Sequence, residues 1–220
     1  MFSVSCKKKG CTDINATNYS AEAKKDDPDN PCIYNNDPWS EVVVSGTTYK
    51  QLSGNITESL TLDAASDWLL SGGVFVDAGV TLTIEAGTTV KTADDGTVPF
   101  LSVSQGGTIN ACGTATDPIV FTPISATPAA GDWGGIILNG YAPINTGATA
   151  EGEGGTGIYG GTNTSDNSGT LCYVRVEYGG KLLSTDNELN GFSFNGVGSA
   201  TTLHHLQAYK GNDDGFEFFG

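Results

Sequence analysis

Residues 73–92 read GVFVDAGVTLTIEAGTTVKT, and this stretch decides the fold. Val80, Leu82 and Ile84 alternate with Thr81 and Thr83, which is the two-residue period of a half-buried strand and not the period of a helix. Gly79 and Gly87 bracket the strand as turn residues. The same phrase returns one step later. VFVDAGVTLTIEAGT (74–88) and LSVSQGGTINACGT (101–114) both run strand, Gly turn, Thr-led strand, Gly turn, and Gly79 to Gly106 is a step of 27 residues. A fixed period of this size marks a repeat architecture. WGGIILNGYAPI (133–144), LCYVRVEYGG (171–180), NGFSFNGVGSATTLHHLQAYKG (190–211) and DDGFEFFG (213–220) continue it loosely. Short β-branched strands with no amphipathic helix predict a right-handed parallel β-helix. Its coils stack about 4.8 Å apart, with aliphatic ladders inside and Gly or Asn at the positive-φ corners. The rival is a β-sandwich, which predicts hairpins at Asn-Gly pairs such as Asn139 and Asn190; the strand lengths favour the β-helix. Asp132-Trp133-Gly134-Gly135 reads as a buried corner, with the indole as packing and the glycines as steric relief.

Working outward, the composition suits this fold: 220 residues, 38% hydrophobic, 31 Gly and one Met. No run of 18 apolar residues is present, so no transmembrane helix is expected. The formal charge is −15 and Arg175 is the single arginine, which argues against nucleic acid and against anionic sugars as the default ligand. An acidic surface serves solubility or binds cations such as calcium. Residues 35–53 are a polar linker leading into a first strand at EVVVSG (41–46), and the β-helix occupies 54–220.

Ahead of it lies GCTDINATNYSAEAKKDDPDNPC (10–32), which has too little apolar side chain to fold by burial. A disulfide between Cys11 and Cys32 would replace the missing core, closing the loop with a gain of about 3 kcal/mol. Asp13, Asn15, Asp26, Asp27 and Asp29 are candidate calcium ligands within this acidic segment, 11–34, although the Gly and terminal Glu of a 12-residue calcium loop are absent. Cys112 and Cys172 are a second expected pair. Sixty residues would set them on coils two apart, near ~10 Å and too far to bond, unless the loop-like EGEGGTGIYGGTNTSDNSG (151–169) brings their coils together. Such pairing suits an oxidising compartment.

The fifth cysteine, Cys6, closes FSVSC and resembles the end of a bacterial lipoprotein signal; the resemblance implies acylation of Cys6 and an anchoring tail over 1–10. Only five residues precede it, too few for the signal's hydrophobic stretch, and the following Lys7–Lys9 lacks the acidic residues associated with surface export. GCTDINATNY resembles a short repeat of Bacteroidota surface proteins, GCTD–x–x–A–x–NY followed by DDGSC; here the second half reads DDPDNPC, longer and without the Gly. From residue 54 to 220, GTATDPIVFTP, GDWGGIILNGYAPIN, YGGTNTSDNSGTLCYVRVEYGG and NDDGFEFFG resemble a group of Bacteroidota envelope proteins regarded as right-handed parallel β-helices. That resemblance implies the fold and an exported, cell-surface setting, and no particular reaction.

For chemistry, Asp213, Asp214 and Glu217 are the enzyme-like residues, since β-helices host polysaccharide lyases and hydrolases that use outer-face carboxylates. Alternation sets Phe216 and Phe218 inward and Glu217 outward. The bland alternative is a solvated corner. His204 and His205 are adjacent, so a strand would point them to opposite faces, unable to share one metal. Trp39 and Tyr141 are candidate sugar platforms. No nucleophile elbow, P-loop or zinc spacing occurs. These features together predict a non-catalytic envelope β-helix with a structural, adhesive or glycan-binding role. The alternatives are a polysaccharide lyase or hydrolase, and a head-to-tail filament joined through the strand edge at GFEFFG.

Overall fold

The computed structural model describes residues 8–14, 16, 18–32, 37–185 and 187–220. Cys6 and Asn15 lie outside the described residues. The chain forms two compact units, Met1–Asp37 and Pro38–Gly220.

The first unit has almost no interior. Among its described residues only Cys11 and Ala16 are buried apolar positions. Cys11 and Cys32 are disulfide-bonded with their Cα atoms 4.9 Å apart. Isolated bridges join Lys9 to Lys25 and Cys11 to Tyr19.

The second unit opens with an antiparallel hairpin, Ser40–Val44 against Thr47–Ile56. Its two-residue turn, Ser45 and Gly46, has positive φ at both positions, which matches the twist of the flanking strands. Beyond it every coil strand pairs in parallel with the same strand of the next coil. The first face stacks residues 50–52, 68–70, Thr89–Thr92, Ile119–Pro123, Val174–Glu177 and Gln207–Tyr209. The second stacks residues 54–56 and 73–76, then Phe100–Val103, Ile136–Asn139, Phe192–Asn195 and Phe216–Phe219. The third stacks Leu60–Leu62, Thr81–Ile84, Thr108–Cys112, Gly169–Cys172 and Thr202–His204. Among the described residues there is no α-helix, only a single 3-10 turn at Glu153–Gly155. The fold is a parallel β-helix, as the alternation and the period predict.

Alternation drives the core. Inward residues form ladders one coil above another: Leu62, Ile84, Ala111, Leu171 and Leu203 on the third face, and Val74, Leu101, Ile136, Phe192 and Phe216 on the second. Phe192 and Phe216 stack at 5.2 Å and 3°. Trp39 covers the first coil, edge-on to Trp68 at 5.5 Å, with Lys50 Nζ 4.8 Å from its ring. Trp39 is therefore packing rather than an open platform. Trp133 is buried, stacks on Phe121 at 5.9 Å and donates its indole N–H to the Glu177 carbonyl at 2.8 Å.

The 27-residue step is one turn of the solenoid, and the Gly79 N–H donates to the Gly106 carbonyl across it at 2.8 Å. Later turns are longer because they carry insertions. Between Ile136–Asn139 and Gly169–Cys172 the chain makes a hairpin, Ala150–Glu151 with Ile158–Tyr159; before Phe192–Asn195 it makes another, Leu182–Ser184 with Asn187–Glu188. The first of these detours explains how Cys112 and Cys172, 60 residues apart, become register partners on neighbouring coils with Cα atoms 4.5 Å apart. Gly169 makes that approach feasible. Its φ is +113°, and a Cβ there would lie 1.9 Å from the Ile109 carbonyl oxygen.

Both insertions lie over the outside of the second face. Leu189 packs with Phe100 and Ile137 into a small second core there, joined by Phe75, Val98 and Leu183. Ser102, Asn139 and Asn195 face outward and yet are buried, because the first insertion sits on them, Thr156 on Ser102 and Asn139 and Gly152 beside Asn195. Ser102 Oγ and Asn139 Nδ2 both donate to the Thr156 carbonyl, at 2.6 and 2.9 Å, and Asn195 Nδ2 donates to Asn139 Oδ1 at 3.0 Å.

Candidate functional site

Two places gather candidate functional side chains on the β-helix. The first is the corner between the third and first faces. Between Cys172 and Val174 the chain turns on one residue, Tyr173, and a coil later it turns at His205. So tight a corner needs the left-handed region, and Tyr173 and His205 adopt it at φ 49° and 53°. The sequence reading assigned such corners to Gly and Asn. Many are Gly, but the non-glycine cases among the described residues are Ser45, Tyr173, Tyr178, His205 and Lys210, with no Asn. Each such residue costs on the order of 1–3 kcal/mol. Ring stacking worth about 1 kcal/mol offsets part of that at this corner, since Tyr173 and His205 lie parallel at 4.3 Å and 11°.

The expectation that the two histidines point to opposite faces fails for the same reason. His204 ends a strand whereas His205 is the corner, and the change of backbone hand brings their Nδ1 atoms to 2.8 Å, one donating to the other. A groove of about 300 Å³ runs past this stack, between Thr114, Ala115 and Pro118 on one wall and Tyr173, Arg175, His205 and Gln207 on the other. Arg175 reaches it because Val174 and Val176 take the inward positions. Its Nε lies 2.9 Å from Glu177 Oε1, which holds the guanidinium on the outer surface. Sequence reading missed this site. Tyr173, Arg175 and Gln207 carry no motif, and their convergence needs three coils in register.

The second place surrounds Glu217. It faces outward from the last strand, as alternation predicts, and is half-buried. Asn190 Nδ2 donates to Glu217 Oε2. Burial, then Glu153, Asp214, Asp213 and Glu188, push its carboxyl up from 4.5 to about 7. Burial and Glu188 also raise Glu153. Asp213 and Asp214 stay exposed at the preceding corner. The structure thus gathers the three sequence candidates and adds Glu153 and Glu188, whose insertions no local spacing connects to Glu217.

Of the calcium candidates of the first unit, Asp26, Asp27 and Asp29 are engaged within it. Asp26 Oδ1 accepts from Thr12 N and Oγ1 at 2.9 and 2.6 Å, and Lys9 Nζ lies 3.8 Å from Asp27 and 3.9 Å from Asp29. Among the described residues the one grouping with metal-ligand spacing is Cys11, Asp26 and Cys32, and its two sulfurs are spent in the disulfide. Tyr141 is exposed, and its carbonyl accepts from Asn163 N at 2.9 Å.

Parallel strands stacked on three faces, with outer grooves and a disulfide between coils, define a β-helix protein. Residues 54–220 match the model of a family described as the pectate-lyase-like β-helix domain, and the chain belongs to that family. No curated protein and no solved structure matches the chain.

Proposed function

We propose that the protein is an exported, envelope-associated β-helix module that binds glycan on its outer surface without cleaving it. The observation that carries this reading is the Tyr173–His205 groove. Two neighbouring corners accept an unfavourable backbone conformation, and both present an aromatic ring beside the hydrogen-bonding ends of Arg175 and Gln207. Two strained residues stacked side by side at a cleft support a functional reading. A flat ring with a few polar groups suits a sugar, which has an apolar face and hydroxyl edges. The disulfides and the lipoprotein-like Cys6 support export and anchoring; calcium at the acidic N-terminal segment belongs to the same proposal. Calorimetry against a panel of neutral and acidic polysaccharides tests it. Binding reduced at least roughly tenfold by Tyr173→Ala is expected, and a panel with no binder overturns it.

A second reading, a polysaccharide lyase or hydrolase, is favoured by one feature. Glu217 has a carboxyl pushed up to about 7 by burial and by four neighbouring carboxylates, the condition for general acid–base work at neutral pH. Depolymerisation, with and without calcium, that Glu217→Gln abolishes would establish this reading in place of the first.

A further inference from the structure

The Tyr173–His205 groove is one end of a longer strip across the first face. Val174–Glu177 and Gln207–Tyr209 are neighbouring strands in parallel register, Arg175 beside Gln207 and Glu177 beside Tyr209. Each strand has a left-handed residue other than glycine at both ends: Tyr173 and Tyr178 for the first, His205 and Lys210 for the second, with φ of 49°, 60°, 53° and 54°. Among the described residues only Ser45, in the opening hairpin, shares that state. Glycine takes such corners without strain, as it does elsewhere along this chain. Large side chains at all four set the far end of the strip apart as clearly as the end where the groove lies.

At that far end Tyr178 and Tyr209 meet edge-on, with ring centres 6.2 Å apart at 76°, and Tyr178 N donates to the Tyr209 carbonyl at 2.8 Å. Lys210 Nζ lies 5.5 Å from the first ring centre and 5.1 Å from the second, which holds both rings in place. Tyr209 is exposed. Between the two ring pairs the outward residues are polar, Arg175, Glu177 and Gln207, because Val174, Val176 and Ala208 turn to the core. Five residues of extended chain separate Tyr173 from Tyr178, a span of about 15 Å, which matches about three linked sugar rings. The Arg175–Glu177 pair leaves the middle of the strip without net charge, on a chain whose formal charge is −15. A polyanion is repelled by that field; a neutral chain is not.

We propose, on the footing of glycan binding at the groove, that the whole strip is one site for a linear neutral glycan about three units long. Its end units lie on the Tyr173–His205 and Tyr178–Tyr209 rings, and its middle hydroxyls meet Arg175, Glu177 and Gln207. Selection by length follows, since a disaccharide reaches one ring pair and a longer chain reaches both.

Calorimetry on the full chain reads the length of the site. The probes are linear β-1,4-linked gluco-, manno- and xylo-oligosaccharides from disaccharide to hexasaccharide, with oligogalacturonates of the same lengths as the charged arm. Affinity for a neutral series should rise roughly tenfold from disaccharide to tetrasaccharide, level off beyond it, and stay unchanged as salt is raised. Tyr209→Ala should weaken the tetrasaccharide roughly tenfold and leave the disaccharide as it was, Tyr209→Phe should match the parent, and Tyr173→Ala should weaken both lengths. Three results would overturn the inference while glycan binding stands: a disaccharide as tight as the tetrasaccharide, a Tyr209→Ala chain that matches the parent, or a polysaccharide binder with no neutral series bound. A chain that binds no polysaccharide, neutral or acidic, loses both.

Discussion

Cys11–Cys32 and Cys112–Cys172 are the same covalent bond in opposite surroundings. The first closes a unit whose described residues bury only Cys11 and Ala16 among apolar side chains. The second joins two strands already in register, beside ladders running from Leu62 to Leu203 and from Val74 to Phe216. Loop-closure entropy assigns them similar worth, about 3 kcal/mol for the shorter loop and about 4 kcal/mol for the longer. The difference lies in what remains without the bond: almost nothing in the first unit, and a complete hydrocarbon core in the second.

The sharpest way to break that comparison is reduction. Dithiothreitol, or Cys11→Ser, should remove all exchange protection from residues 8–32 while the β-helix stays folded. Persistence of that protection would mean that the first unit owes its shape to something other than its disulfide. Cys112→Ser with Cys172→Ser should lower the melting temperature of the β-helix by about 10 °C and leave its circular dichroism unchanged. Gly169→Ala forces a methyl onto the Ile109 carbonyl on the strand that carries Cys172, and should cost about 3 kcal/mol in denaturant unfolding even with the disulfide intact. A smaller loss would show that the bridge, rather than the close backbone approach, sets the spacing of these coils. The smallest effect on stability is expected at the Tyr173 corner. Tyr173→Gly should relax a left-handed corner and change stability by about 1 kcal/mol or less, because strain relief and lost stacking offset each other. Its glycan binding should nevertheless vanish, separating what the residue does for the fold from what it does for the groove.

The interior of the β-helix was legible because its signals are local. Val80, Leu82 and Ile84 alternate within five residues, and all three are buried; the 27-residue recurrence of Gly79 at Gly106 is one turn. Glu217 was legible as outward-facing from Phe216 and Phe218 alone. What surrounds it was not, since Glu153 and Glu188 arrive on hairpins whose placement depends on contacts with Phe100, Ile137 and Asn139 in other coils. The groove was hidden for another reason. Tyr has no preference for positive φ and His is only enriched among rare cases, so nothing in CYV or HHL announces a corner. Only the single-residue turn between two paired strands requires it. The histidine expectation failed on that point, because the strand rule was applied to a residue outside the strand.

The pairing of Cys112 with Cys172 also has a mechanical meaning. A pull on the two ends of the β-helix peels coils apart one by one, each releasing its stored contour as the chain straightens. The bridge removes the intervening 60 residues from the load path, because tension crosses from one sulfur to the other. Roughly 200 Å of chain is then withheld from extension. The first hairpin, Ala150–Glu151 with Ile158–Tyr159, lies within that shielded stretch, so a copy pulled by its two ends keeps this part of its outer face intact after the coils before it have begun to yield.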